Sequence, residues 1–439
     1  MTQGRSQELG WYRWAPKTHS RTGIHFEDRA SQLTKTTRSL DLNLALSGTQ
    51  VSLSVLKRLS VAVFGLGAVG GEILASLARL GVGRLIGIDP GRYREDSWRT
   101  QPVFPEHAGQ AKAWVQGLRA RRYNPAGEVW AAIGRAQDLP LGLLRKVDVF
   151  VTAGDNLELP VWAGNMATAL GKKALVQGAV HGPTWTAICR TYNLASAGSP
   201  CPGCMLRSRE WGLLSVRYGC EPGAATESDL VKDHDLGPTA TLPAVCTTAA
   251  QMATIECLKR LLNIDAQEVQ SEEISYCLLT HQLLRTTLPR NPNCRCAHER
   301  WKIQDLTQPP SQITLSKLAS SINCEKDDLQ IRGESHWVSD TLCSRCGLKS
   351  PVRKFVRGFG GKVGACSCGA ALLASPMGSF SVMPPQDLEV CLKRPLSTLG
   401  LEPGGSVGLS SKGQEWTYFF FPGRPRFRIE EEESEKKSD

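Results

Sequence analysis

The first residues with usable chemistry are three glycines and an acid. Gly65-Leu66-Gly67-Ala68-Val69-Gly70 places glycines at positions one, three and six of a turn. The first two let a backbone turn tightly and approach a phosphate, and the third lets a following helix pack closely. The helix start behind them favours an anion. Asp89 ends the next apolar run, where a carboxylate can accept hydrogen bonds from ribose hydroxyls. Nucleotide binding is the reading this combination predicts, against the blander one of a glycine-tolerant α/β crossover.

Cysteine supplies the second chemistry. The chain has 15 cysteines, several in close pairs. Cys201 and Cys204 form C-P-G-C, and Cys294 and Cys296 form C-R-C with His298 just after. Four sulfurs would make a closed, structural zinc site, and His298 could replace one sulfur of the second pair. Cys343 with Cys346 and Cys366 with Cys368 form a second set, each pair followed by glycine, which predicts a zinc-ribbon-like module. Pairs this tight, in a chain whose N-terminus lacks an apolar leader, read as metal ligands in a reducing cytoplasm and not as disulfides.

These residues need elements to hold them. Val61, Val63 and Phe64 read as a strand, and Ile73, Leu74, Leu77 and Leu80 recur at helical spacing. Leu85–Ile88, Val147–Thr152 and Lys173–Gly178 read as further strands. The alternation from 59 to about 190 predicts an α/β fold, a doubly wound and mostly parallel sheet covered on both faces. Pro243 opens a helix over 243–263, and 205–242 reads as a long crossover loop. The expected division is an arm over 1–50, a nucleotide domain over 51–305, the zinc-ribbon-like module over 306–376, a small β-rich module over 377–430 and a disordered acidic tail over 431–439.

Composition bounds the partners. A hydrophobic fraction of 41% suffices for a real core, and a net charge of +10 suits ATP and acidic partners. No nucleic-acid motif accompanies that charge. No apolar run approaches the length of about 18 residues that would predict a membrane span.

Further residues extend the pattern. After Asp89 come Gln101, then Gly109-Gln110-Ala111-Lys112, Asn124-Pro125 and Asp155-Asn156, and the later helix carries Glu256-Cys257-Leu258-Lys259-Arg260-Leu261. In this order they resemble the ubiquitin-activating enzyme superfamily with its ThiF/MoeB-like bacterial members, over roughly residues 50–300. The resemblance implies adenylation, with ATP, Mg2+ and a structural Zn2+. Gly65, Gly67 and Gly70 would face the phosphates, Asp89 the ribose, and Lys112 and Gln101 the α-phosphate. Asp155, beside Asn156, would bind magnesium. The family commonly has arginine directly before the glutamine. Here Thr100 stands there and Arg99 one place earlier, so Arg99 through a shifted loop, or an arginine of the N-terminal arm such as Arg38, would supply the charge.

The resemblance further implies a ubiquitin-like or sulfur-carrier protein as substrate, a homodimer and, for the thioester-forming members, a conjugating enzyme. Their nucleophile lies in the crossover loop, which points to Cys220 near Arg217, with Cys246 at the start of the 243–263 helix as rival. Cys257 and Cys277 read as core, and Cys189 as a sheet residue. Adenylation without a thioester, for thiamine or molybdopterin synthesis, is the nearest alternative. A nicotinamide dehydrogenase is a second, and a non-catalytic scaffold with an old ATP site a third.

Overall fold

The structure is a computed structural model that describes residues 10–14, 41–44, 49–154, 156–172, 174–194, 198–213, 241–264, 270–356, 362–374, 379–380, 382–412 and 414–423. The chain divides into two compact units.

The larger unit is built on a sheet whose strands are β1 (Gly10–Trp14), β4 (Ser60–Phe64), β5 (Arg84–Ile88), β6 (Glu128–Ile133), β7 (Val149–Thr152), β8 (Ala174–His181), β9 (Thr186–Asn193), β10 (Glu272–Cys277) and β11 (Gln282–Thr287). Strands β2 (Asp41–Leu44) and β3 (Thr49–Ser52) form a separate hairpin. The sheet order is β1-β6-β5-β4-β7-β8-β9-β10-β11. Pairing from β6 through β8 is parallel, and from β8 through β11 antiparallel.

The parallel half follows from the sequence pattern. Every residue of β4 is buried, as expected where helices cover both faces. The helix Ala68–Arg79 buries Ile73, Leu74 and Leu77, and the helix Pro243–Leu261 buries Ala249, Ala250, Ala253 and Cys257 in the same core. Small residues on the second helix suit a close approach to a neighbouring element. Cys257 is a core residue and Cys189 lies on a strand, β9, as expected; both are buried. Cys277 is not: it ends β10 at a hairpin and is partly exposed, with its Sγ 3.4 Å from the carbonyl of Thr184.

The smaller unit combines residues 135–146, which lie between β6 and β7 in the chain, with residues 299–428. One sheet joins β12 (Lys302–Asp305), β13 (Leu329–Gly333), β19 (Ser406–Ser411) and β20 (Thr417–Phe420) in the order β12-β20-β19-β13. A second runs β15-β14-β17-β16, from β14 (His336–Cys343), β15 (Lys349–Val356), β16 (Lys362–Ala365) and β17 (Ala371–Ala374), with β18 (Ser379–Phe380) also on β14. Leu315, Ile331, Trp337, Phe355, Leu396 and Phe419 share one apolar core. Residues 135–146 are fixed to this unit by Arg145, which pairs with Asp305 and lies over the Phe420 ring. A side chain on Gly142 would collide with the carbonyl of Gly404.

Asp387 is the buried anchor of the smaller unit. Trp337 Nε1 and Arg353 Nε each donate to it at 2.8 Å, and Ser339 donates as well. Burial opposes its charge, but these three hydrogen bonds and the nearby Arg353 cation outweigh burial and hold the carboxyl below its ordinary range. A depressed carboxyl pKa stabilises the fold above the unfolded-state value, and the gain disappears as pH falls through the folded-state value. Asp387→Ala should cost about 3 kcal/mol at neutral pH. Urea unfolding at several pH values should show that deficit shrinking as pH drops below about 4.

Candidate functional site

Asp89 ties the glycine loop to the segment that follows β5. Its Oδ2 accepts the Leu66 N–H and its Oδ1 accepts the Gly91 N–H, both at 2.7 Å. The carbonyl of Gly91 in turn accepts the N–H of Lys112 at 3.0 Å, at the start of the helix Lys112–Tyr123. Asp89 and Lys112 are buried, at 7% and 8% exposure. The structure therefore brings together Gly65, Gly67, Asp89 and Lys112, which lie up to 47 residues apart in the numbering.

The glycines differ in what they require. Gly65 has φ +87°, a conformation that disfavours side chains, and a Cβ there would lie 2.9 Å from the Gly154 nitrogen. A Cβ on Gly70 would sit 1.8 Å from the Gly65 carbonyl oxygen. Gly67 is open, its nearest neighbour being Gln101 Oε1 at 3.8 Å from a Cβ position. That Gln101 oxygen is buried without a hydrogen-bond partner among the described residues. A buried acceptor of this kind calls for a donor, such as a ligand hydroxyl, and not for a phosphate oxygen.

Arg99 is exposed, with its guanidinium carbon 5.4 Å from the Trp98 ring centroid. Asn156 accepts the Leu159 N–H at 2.8 Å, so its amide oxygen helps fix the start of the helix Glu158–Ala169. Asp155, Arg38 and Cys220 lie outside the described residues. Cys246 is 1% exposed, and burial pushes its thiol up. Sequence reasoning missed Tyr93 and Gln116. Gln116 Nε2 donates to the Tyr93 hydroxyl at 2.7 Å, and burial holds that hydroxyl far above its ordinary range. A side chain on Gly71 would meet Gln116, so this pair fixes the packing of the helix behind the loop.

The paired cysteines converge on two clusters. Cys343, Cys346, Cys366 and Cys368 meet within the smaller unit, with sulfurs of Cys343 and Cys368 at 3.4 Å and of Cys346 and Cys366 at 3.6 Å. Backbone N–H groups of Arg345 and Cys346 point at the Cys343 sulfur, and Gly347 and Gly369 take positive φ after each pair. Four sulfurs in two such turns fit zinc. In the larger unit the cluster is Cys201, Cys204, Cys294 and His298. Cys296, expected as the fourth ligand, falls outside that group because its sulfur sits to one side, against Gly203.

A model of the ThiF family matches residues 39–297. The chain belongs to the ThiF family. The expected resemblance to ThiF/MoeB-like proteins is thus borne out, and the dehydrogenase alternative is not favoured. A sulfur carrier protein adenylyltransferase of Thermus thermophilus is 28% identical over 242 residues, covering 54% of this chain and 82% of that protein. Among solved structures, E. coli MccB with succinimide is 17% identical, covers 56% of this chain and 68% of that one, and has a TM-score of 0.44. E. coli MccB with ATP is 17% identical, with shares of 56% and 67% and a TM-score of 0.42.

Removing the carboxylate at position 89 leaves two backbone donors without their acceptor. Each buried unsatisfied donor costs about 1–3 kcal/mol. Asp89→Ala should therefore lower the unfolding free energy by about 2–6 kcal/mol. Urea unfolding checks this, and unchanged stability would contradict the clamp.

Proposed function

We propose that this chain is an ATP-dependent adenylyltransferase for the C-terminal carboxylate of a ubiquitin-like or sulfur-carrier protein. The observation that carries the reading is the Asp89 clamp, which ties the glycine loop to the segment leading into Lys112. ThiF-family membership and the Thermus relative support it.

In this proposal the N–H groups of the 65–70 loop hold the phosphates of ATP, and Asp89 receives the ribose hydroxyls on lone pairs its two backbone bonds leave free. Lys112 offsets charge at the α-phosphate and Gln101 would orient it by donating from its amide Nε2, with Arg99 in a supporting role. Asp155, beside Asn156, would hold Mg2+, which when bound neutralises phosphate charge. The carrier carboxylate oxygen attacks the α-phosphorus and the bond to the β-phosphate oxygen breaks. Pyrophosphate leaves, and the acyl adenylate remains. The protein's contribution is positioning and charge neutralisation.

A thioester step would follow on Cys220, with transfer to a conjugating enzyme and the chain acting as a homodimer. The sequence beyond residue 305, divided at 306–376 and 377–430, suits recruitment of such a partner. A second reading ends at the adenylate and serves sulfur transfer. It is favoured by the named activity of the Thermus relative and by the burial of Cys246, which leaves that rival thiol poorly placed to attack.

Cys220→Ala separates the two readings. The conjugation reading predicts that the variant keeps carrier-stimulated ATP–pyrophosphate exchange and loses a reductant-sensitive carrier adduct on a non-reducing gel. An adduct lost instead in Cys246→Ala or Cys277→Ala would move the nucleophile. A wild type that exchanges pyrophosphate but forms no adduct would establish the adenylate-only reading.

A further inference from the structure

Five soft donors crowd the metal cluster of the larger unit, and a structural zinc site uses four. Zinc–sulfur bonds of about 2.3 Å and zinc–nitrogen bonds of about 2.0 Å at tetrahedral angles put ligand sulfurs about 3.8 Å apart and sulfur and nitrogen about 3.5 Å apart. The sulfurs of Cys201 and Cys294 are 3.8 Å apart. His298 Nε2 is 3.3 Å from the Cys201 sulfur and 3.6 Å from the Cys204 sulfur. The ligand atoms of Cys201, Cys204, Cys294 and His298 all lie within 4.8 Å of one another, and Cys296 is not in that set.

Three further observations bear on the choice between Cys296 and His298. His298 is 6% exposed, and its Nδ1 faces the carbonyl of Ser199 at 3.2 Å. A carbonyl only accepts, so Nδ1 carries the proton and Nε2 keeps a lone pair on the cluster side; Arg290 Nη1, which only donates, fills it at 2.7 Å, and zinc on Nε2 would replace that bond. Cys296 stands apart from that set, its sulfur lying 2.7 Å from where a Cβ on Gly203 would be. Arg290 Nη1 donates to the Cys204 sulfur at 3.2 Å and to the Asn291 carbonyl at 2.9 Å, and lies 2.7 Å from His298 Nε2. Three thiolates on a divalent cation leave one negative charge, which the single Arg290 guanidinium balances. A fourth thiolate would leave a second one to be accommodated in a partly buried site, at a cost.

We infer that zinc at this site is held by three sulfurs and one imidazole, from Cys201, Cys204, Cys294 and His298. Cys296 is then an uncoordinated thiol beside the cluster. This is independent of the adenylation reading.

Cadmium-113 exchanged into the full-length protein reports donor identity through its NMR shift, with one signal per site. The expected spectrum has one signal in the four-sulfur range, from the Cys343 cluster, and one upfield of it in the three-sulfur, one-nitrogen range. Cys296→Ser should leave both signals and the metal content unchanged, whereas His298→Ala should lose or move the upfield signal alone. Wild type read without any variant gives a second arm. Iodoacetamide applied to the zinc-loaded protein should modify Cys296 severalfold faster than Cys201, Cys204 or Cys294 in peptide mapping. Two signals both in the four-sulfur range, no signal beyond the one from the Cys343 cluster, or a Cys296 protected as well as its neighbours would overturn the assignment.

Discussion

One carboxylate holds the nucleotide end of this fold together. Asp89 must be buried and fixed, because the N–H groups of Leu66 and Gly91 both end on it. Charge-assisted bonds of this kind are the strong ones. Through Gly91 the same carboxylate reaches the backbone of Lys112. The glycines answer a different need, since Gly65 turns with positive φ and Gly70 lets its own helix touch the turn. If the loop shifted, the anion-binding end of the helix and the acid would no longer face one volume.

Much of this was legible because it is local. Glycine spacing, a strand-terminal acid and paired cysteines act over a few residues, and their physics is written in the order of the chain. The second cysteine set shows why: each pair makes its own turn with its own glycine, so only the meeting of two turns depends on the fold. Gln101 was legible as a residue, but not the fact that its oxygen lies buried near Gly67 with no partner among the described residues. Exposure was not legible either. Cys246 and Cys277 both sit among apolar neighbours in sequence, yet one is buried in a helix and the other is partly exposed at a strand end.

Non-local geometry accounts for the rest. The cluster at Cys201 joins residues 93 positions apart, from Cys201 to Cys294. Which of Cys296 and His298 faces it depends on the path of the chain near residue 298, where the backbone of His298 itself takes φ +55°. A metal closing a loop that long stabilises chiefly by restricting the unfolded chain, and the loop spans the helix Pro243–Leu261 that packs on the sheet. Likewise, nothing in residues 135–146 alone says that Arg145 will pair with Asp305. A short stretch between two strands of the nucleotide sheet belongs to the other unit, and sequence order conceals such an exchange.

The central claim concerns which bond is made, and an isotope follows it directly. A β-grasp carrier chosen from the neighbouring genes would be labelled with oxygen-18 in its C-terminal carboxylate and incubated with the protein, ATP, magnesium and an acceptor nucleophile. Attack of that carboxylate on the α-phosphorus leaves one of its oxygens on the nucleotide once the acyl group moves on. The account predicts oxygen-18 in the phosphate of AMP, found by mass spectrometry, with none in inorganic phosphate or pyrophosphate. Label appearing in inorganic phosphate, as an acyl phosphate would give, or AMP free of label while the carrier is consumed, would contradict it.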